Sequence, residues 1–211
     1  MRTIVKGTEP ASLTRHRQTP HADYDNYPDK QSLRQSLVAE QRGLCCYCLS
    51  RIHPAAAEMK IAHWHSRDRH RNEELVYINL LGACMGNEGQ SPQPQHCDTR
   101  QGNRDISRNP ANPDHRVEQF VRFGGDGTIA SDDPVFEAEL NEVLNLNVPI
   151  LKNNRKEVLE AFKAALIKRG DPPRTTLERW LRDWSGESHE NELQPFCQVV
   201  VYWLRKRLAR S

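Results

Sequence analysis

Four cysteines set in two pairs constrain this chain more than any other feature of its 211 residues. Cys45-x-x-Cys48 is followed downstream by Cys84 and Cys97. A tetrahedral zinc ion takes four thiolates at about 2.3 Å, and two cysteine-bearing turns can supply them while the chain between carries other chemistry. The C-x-x-C spacing favours Cys45 over its neighbour Cys46 as a ligand. Cys197, inside Phe196-Cys197-Gln198-Val199-Val200, reads as a small buried hydrophobe. We therefore expect a structural Zn2+ on Cys45, Cys48, Cys84 and Cys97.

The redox compartment bears on that reading. No apolar run is long enough to span a bilayer, and Met1-Arg2-Thr3-Ile4-Val5-Lys6 leads into no apolar segment with a small-residue cleavage site. A cytoplasmic location is expected, where paired cysteines more often hold metal than form disulfides. Hydrophobic residues make up 36% of the chain and charged ones 27%, and a modest core of this kind gains from a structural ion. With 30 basic and 28 acidic residues the net charge is only +2, so contact with nucleic acid has to come from local patches or a partner. Arg67, Arg69 and Arg71 form one patch just after His63, and Arg205, Lys206, Arg207 and Arg210 form another.

Patterning along the chain divides it into three. Residues 1–30 show no period and read as an extended N-terminal arm. Residues 31–132 hold the cysteine frame. Leu33, Leu37 and Val38 predict a short helix there, Met59–Trp64 alternates like a strand, Met85–His96 is a glycine- and proline-rich loop, and Gly124–Gly127 bends a hairpin. Residues 133–211 read as a helical lobe for docking a partner, with Pro134 at a helix start, a capping box at Thr175-x-x-Glu178, and a last helix beginning at Pro195. Its aromatic residues read as core.

Between the cysteine pairs stand His63 and Asn79, and Asp98 follows the last cysteine. Hydrolysis of a phosphodiester needs a base for the attacking water and positive charge for the phosphate. His63 has the pKa range of a general base near neutrality. Asn79 can orient a loop or the imidazole, and Asp98 offers an oxygen ligand to Mg2+ or Mn2+. Each also has an ordinary reading, Asn79 as a cap and Asp98 as a helix N-cap. Their order within one frame strengthens the chemical reading. Arg67, Arg69, Arg71 and Arg100 are the expected nucleic-acid contacts.

The segments Leu44-Cys45-Cys46-Tyr47-Cys48, Met59–Trp64, Tyr77–Cys84 and His96–Asn103 resemble those of HNH (His-Asn-His) nucleases, and more closely the PtuB family of Septu-type anti-phage defence and of some retrons. The likeness extends to Lys6-Gly7-x-Glu9-Pro10, to Asp126–Asp133 and to Leu140–Asn147, and covers roughly residues 1–155. It implies an α+β fold, a zinc-stabilised ββα-metal core with an N-terminal arm and a helical C-terminal lobe. It also implies metal-dependent cleavage of DNA or RNA with His63 as base, in a complex with a PtuA-type ATPase and, in retrons, a reverse transcriptase with its RNA-linked DNA. One position departs from the family. An acidic metal ligand usually precedes the catalytic histidine, whereas this chain has Ile61-Ala62-His63. Alanine cannot coordinate an ion, so Ala62 reads as an inactivating, engineered change that weakens the catalytic ion and leaves the zinc frame intact, the other reading being a natural variant in which His65 or water replaces the carboxylate. A zinc-stabilised adaptor that binds nucleic acid or an ATPase without cutting is the alternative.

Overall fold

The computed structural model describes residues 1–168, 170, 172–188 and 192–210. The fold is α+β, helical for most of its regular structure, with two small antiparallel sheets. Strand β1 (Met59–His63) pairs with β2 (Leu80–Cys84), Met59 opposite Cys84 and His63 opposite Leu80. All of β2 is buried, whereas only Met59 and Ala62 of β1 are. A short helix packs across both strands. It follows the expected Met85–His96 loop and would be the third in chain order, so two helices come before it.

The first, α1 (Ala11–Arg17), lies in the segment expected to be an extended arm. The arm is instead folded onto the body: Met1, Ile4, Leu13 and Tyr27 are all buried, and Ile4 N–H donates to the Pro110 carbonyl at 2.8 Å. A helix of two turns with one buried residue leaves no periodic trace in the sequence. The second, α2 (Lys30–Glu40), buries Leu33, Leu37 and Val38 as predicted. Asp29 caps it by accepting from the Ser32 N–H at 3.1 Å. Asp29→Ala should lower stability by about 1 kcal/mol, read as a fall in the urea midpoint at unchanged slope. At the other end, buried Gln41 ties α2 to the sheet. Its amide donates to the carbonyls of Leu44 and Gly82, both at 2.7 Å, and accepts from the Gly82 N–H at 2.6 Å. The helix across the sheet is α3 (Cys97–Gln101).

Beyond it, β3 (Arg122–Phe123) and β4 (Ile129–Ala130) form the expected hairpin. Asp133 caps α4 (Pro134–Ala138), which runs into a π-helical turn at Glu139–Val143. Three longer helices follow, α5 (Pro149–Ile167), α6 (Arg174–Ser185) and α7 (Cys197–Leu208). The capping box is absent: Pro173 precedes α6, Thr175 lies inside it, and Glu178 pairs with Arg174 at 2.9 Å. Likewise α7 starts at Cys197, after Phe196 in a left-handed conformation, rather than at Pro195. Ser211, the expected end of the helical lobe, lies outside the described residues.

Packing does not break at 132/133. Phe136, Leu140, Leu144 and Leu151 share one apolar core with Cys48, Ala62 and Leu81. A second core joins α5, α6 and α7 through Leu159, Leu177, Val200 and Leu204. There Phe162 meets Trp180, Trp184 and Trp203 edge-on, with ring centroids 5.9, 5.6 and 5.8 Å away, so the aromatic stripe is core. Cys197 is buried with Leu44, Leu49 and Leu193, which fastens α7 to the first cysteine turn. Among the described residues, no helix is long and apolar enough to cross a membrane.

Candidate metal centre and adjoining cleft

The first cysteine turn is shaped by backbone bonds. Cys45 N–H donates to Ser50 O at 2.9 Å and Leu49 N–H to Cys45 O at 3.1 Å, with Leu49 at φ +68°. The turn aims the thiols of Cys45 and Cys48 inward and leaves Ser50 N–H 3.4 Å from Cys48 Sγ. Cys84 ends β2 and Cys97 begins α3. Gly86 brings the last two together: it sits at φ +56°, and a Cβ there would lie 2.1 Å from the His96 carbonyl oxygen.

All four sulfurs are buried and lie within 4.8 Å of one another. Cys45 Sγ is 3.9 Å from Cys97 Sγ, and Cys48 Sγ is 3.7 Å from Cys84 Sγ. A tetrahedron with zinc–sulfur bonds of about 2.3 Å has edges of about 3.8 Å. The thiols therefore form a group able to hold a structural metal such as zinc. Cys46 stands outside it, and burial pushes its thiol well above the usual range. Burial opposes ionisation of Cys45 too, yet the hydrogen bonds of Cys46, Cys48, Cys84 and Cys97 bring its thiol well below that range.

Four thiolates on one divalent ion would carry excess negative charge, and two buried side chains would bear on it. His96, 6% exposed, places Nδ1 3.2 Å from Cys97 Sγ. Arg155, 2% exposed, donates to the carbonyls of Gly127 at 2.6 Å and Leu146 at 2.7 Å. Burial pulls its pKa down to about 10, and the negative charges of Cys48 and Cys97 oppose that shift. Arg155→Met should cost about 3–5 kcal/mol, because it orphans two buried carbonyls and removes the cation facing the thiolates. Chemical denaturation with the ion bound measures it.

His63 and Asp98 open onto one cleft of about 470 Å³. His63 Nε2 lies 3.0 Å from the Glu74 carbonyl, so it carries the proton and donates, leaving the Nδ1 lone pair free. Tyr24 meets the imidazole edge-on at 4.6 Å. Burial pulls the His63 pKa down to about 4, against the Glu74 hydrogen bond, so the ring is neutral at pH 7. Asp98 is pushed up to about 6 by burial, with Lys60 opposing. Lys60 Nζ is 3.8 Å from Asp98 Oδ2, 2.8 Å from Glu88 and 3.1 Å from Thr99 Oγ1.

Asn79 acts behind the cleft. Its Oδ1 accepts from His65 N–H at 2.7 Å, and its Nδ2 donates to the carbonyls of His65 at 3.2 Å and Glu73 at 3.1 Å. It thereby holds the loop whose Glu74 carbonyl orients His63. Ala62 has no exposed surface, pairs with Leu81 and faces the core. Of the expected phosphate contacts, Arg67 lines the cleft, beside Asp25 at 2.6 Å. Arg69, Arg71 and Arg100 do not line it; Arg69 turns to Asp105 at 3.6 Å and Arg100 to the Pro92 carbonyl at 3.3 Å. Tyr24, Arg34 and Lys60 line the cleft without having been singled out in the sequence. Lys60, alternating with Ile61 beside His63, is the one whose strand position gave a signal.

No protein family model matches the sequence, and no curated protein matches it. Function then rests on the chemistry of the site itself.

Proposed function

We propose that the chain is a metal-dependent HNH-type endonuclease of the PtuB kind, weakened at the position of Ala62. The observation that carries this reading is a neutral His63 with a free Nδ1, sharing one cleft with a carboxylate and with Arg34 and Arg67. The order β1, β2, α3 around the cysteine group is compatible with a ββα-metal unit and supports this reading. In the proposed reaction, water attacks phosphorus in line while His63 Nδ1 takes its proton, and the opposite P–O bond breaks. Arg67 and Arg34 bind the phosphate oxygens. Mg2+ or Mn2+ on Asp98 would neutralise charge on the phosphate and the leaving oxygen. Without a carboxylate at position 62 the chain holds that ion poorly, and turnover is slow. By resemblance, a PtuA-type ATPase, and a retron reverse transcriptase with its RNA-linked DNA, are the partners we propose, in the cytoplasm.

The adaptor reading draws on Lys60, whose ammonium faces Asp98 where a cation would sit. Plasmid, single-stranded DNA and total RNA incubated with the chain in Mn2+ or Mg2+ separate the two. Slow cleavage that Asp98→Asn abolishes is expected. Tight binding with no cleavage, unchanged in His63→Ala, would favour the adaptor.

A further inference from the structure

A second group of metal-ligating side chains stands outside both the cysteine frame and the cleft. His65, His70 and Glu73 each bring one donor atom within 4.8 Å of the others. His65 Nδ1 is 2.7 Å from Glu73 Oε2, and the two imidazole centroids are 4.3 Å apart. None of the three lines the cleft of His63 and Asp98. All are partly exposed, so an ion can reach them.

We propose that His65, His70 and Glu73 bind a divalent transition-metal ion of the zinc class. Two imidazoles and one carboxylate suit Zn2+, Co2+ or Ni2+ better than Mg2+ or Ca2+, which take oxygen ligands. The spacing suits one ion. A tetrahedral ion with ligand bonds of about 2.1 Å sets neighbouring ligand atoms about 3.4 Å apart and imidazole centroids about 5.3 Å apart. From the observed separations of 4.3 and 2.7 Å the rings unstack and the three donors spread by about 1 Å as the ion enters. On binding, the ion takes the place of the proton between His65 Nδ1 and Glu73, and the neutral ring carries its one proton on Nε2.

The surroundings hold the ligands in place before any ion arrives. Asp105 Oδ2 lies 3.2 Å from His70 Nε2, and Asp105 Oδ1 accepts from Ser66 N–H at 2.9 Å. A carboxylate on one imidazole nitrogen is the usual outer support of a ligating histidine: it fixes the tautomer and leaves the other nitrogen for the metal. Trp64 covers the second face of His65, stacked at 3.7 Å. Asn79 clamps both ends of the loop, at the backbone of His65 and of Glu73. Three protein ligands leave a coordination position for water or a phosphate oxygen. The same loop carries Arg67, Arg69 and Arg71, so the ion would pin the arginines in one arrangement. The site stands whether or not the chain is a nuclease.

The test is metal content. Full-length protein is equilibrated with Zn2+, freed of unbound ion by gel filtration, and assayed for zinc per chain. Two ions are expected, one of them removed by a mild chelator that leaves the cysteine-bound ion. His70→Ala and Glu73→Gln should each weaken the labile ion by about tenfold or more, whereas Asp98→Asn should keep both. Glu73→Gln preserves side-chain shape, so it reports on the site even where His70→Ala disturbs the loop. A single zinc per chain, a labile ion indifferent to both variants, or one lost with Asp98→Asn would overturn the proposal.

Discussion

Cys84→Ser is expected to abolish the tightly bound zinc and to erase the cooperative unfolding transition of the cysteine-framed part of the fold. A structural zinc ion in a small domain contributes about 10–16 kcal/mol near neutral pH, against a total stability of about 5–15 kcal/mol for a typical domain. Losing one of four thiolates therefore removes more than the fold holds in reserve. The consequences are local in origin, since Cys84 joins the end of β2 to the loop before α3, and without the ion that loop would be left to hydrogen bonds such as His96 N–H to Gly86 O, Asn87 Nδ2 to Pro94 O and Thr99 Oγ1 to Met85 O. The control is Cys46→Ser, at a buried position beside the centre but outside it. It should lower stability by about 1–3 kcal/mol through an added buried hydroxyl and leave zinc content unchanged. Elemental analysis with thermal melts reads both variants. Full zinc content in Cys84→Ser, or its loss in Cys46→Ser, would place the ion elsewhere.

The second large effect is chemical. Removing the imidazole in His63→Ala should lower any metal-dependent cleavage by about 10²–10⁴-fold, the usual contribution of a positioned base, while zinc content and melting stay near those of the parent. The geometry sets the expectation: Nε2 is engaged by the Glu74 carbonyl at 3.0 Å, so only Nδ1 can accept a proton. Asn79→Ala should act on the same reaction through position, since it releases the loop that carries that carbonyl. Its rate loss should exceed what its stability loss of about 1–3 kcal/mol explains, because the folded fraction would still present a misaligned base.

The cysteine frame was legible because metal chemistry leaves a spacing in the chain that no packing constraint imitates, and the same spacing separated Cys45 from Cys46. The helix around Leu33 was legible by period. Tyr24 and Arg34 were not. Each reaches the cleft from a segment remote in sequence, and long-range packing leaves no local pattern. The arm at 1–30 hid its role for a related reason: Met1, Ile4 and Leu13 are isolated apolar residues whose burial depends on the body they fold against. Arg69 and Arg100 show the opposite failure. Proximity in sequence to His63 and Cys97 suggested the cleft, but Asp105 and the Pro92 carbonyl draw their guanidinium groups away. The Thr175 capping box failed because Pro173 already presets the helical entry, and α6 starts two residues earlier.

Ala62 faces the core with no exposed surface, so a carboxylate there must reach past the strand edge toward Asp98 to serve as a ligand, and one that stays buried would destabilise the fold. The decisive measurement is the Mn2+-dependent cleavage rate of Ala62→Glu on DNA and RNA, alongside the parent chain and the Ala62→Glu, His63→Ala double variant. A gain of about tenfold or more over the parent, erased in the double variant with zinc still bound, is the predicted result. An unchanged rate in a folded, zinc-loaded Ala62→Glu protein, or a gain indifferent to His63, would contradict the account.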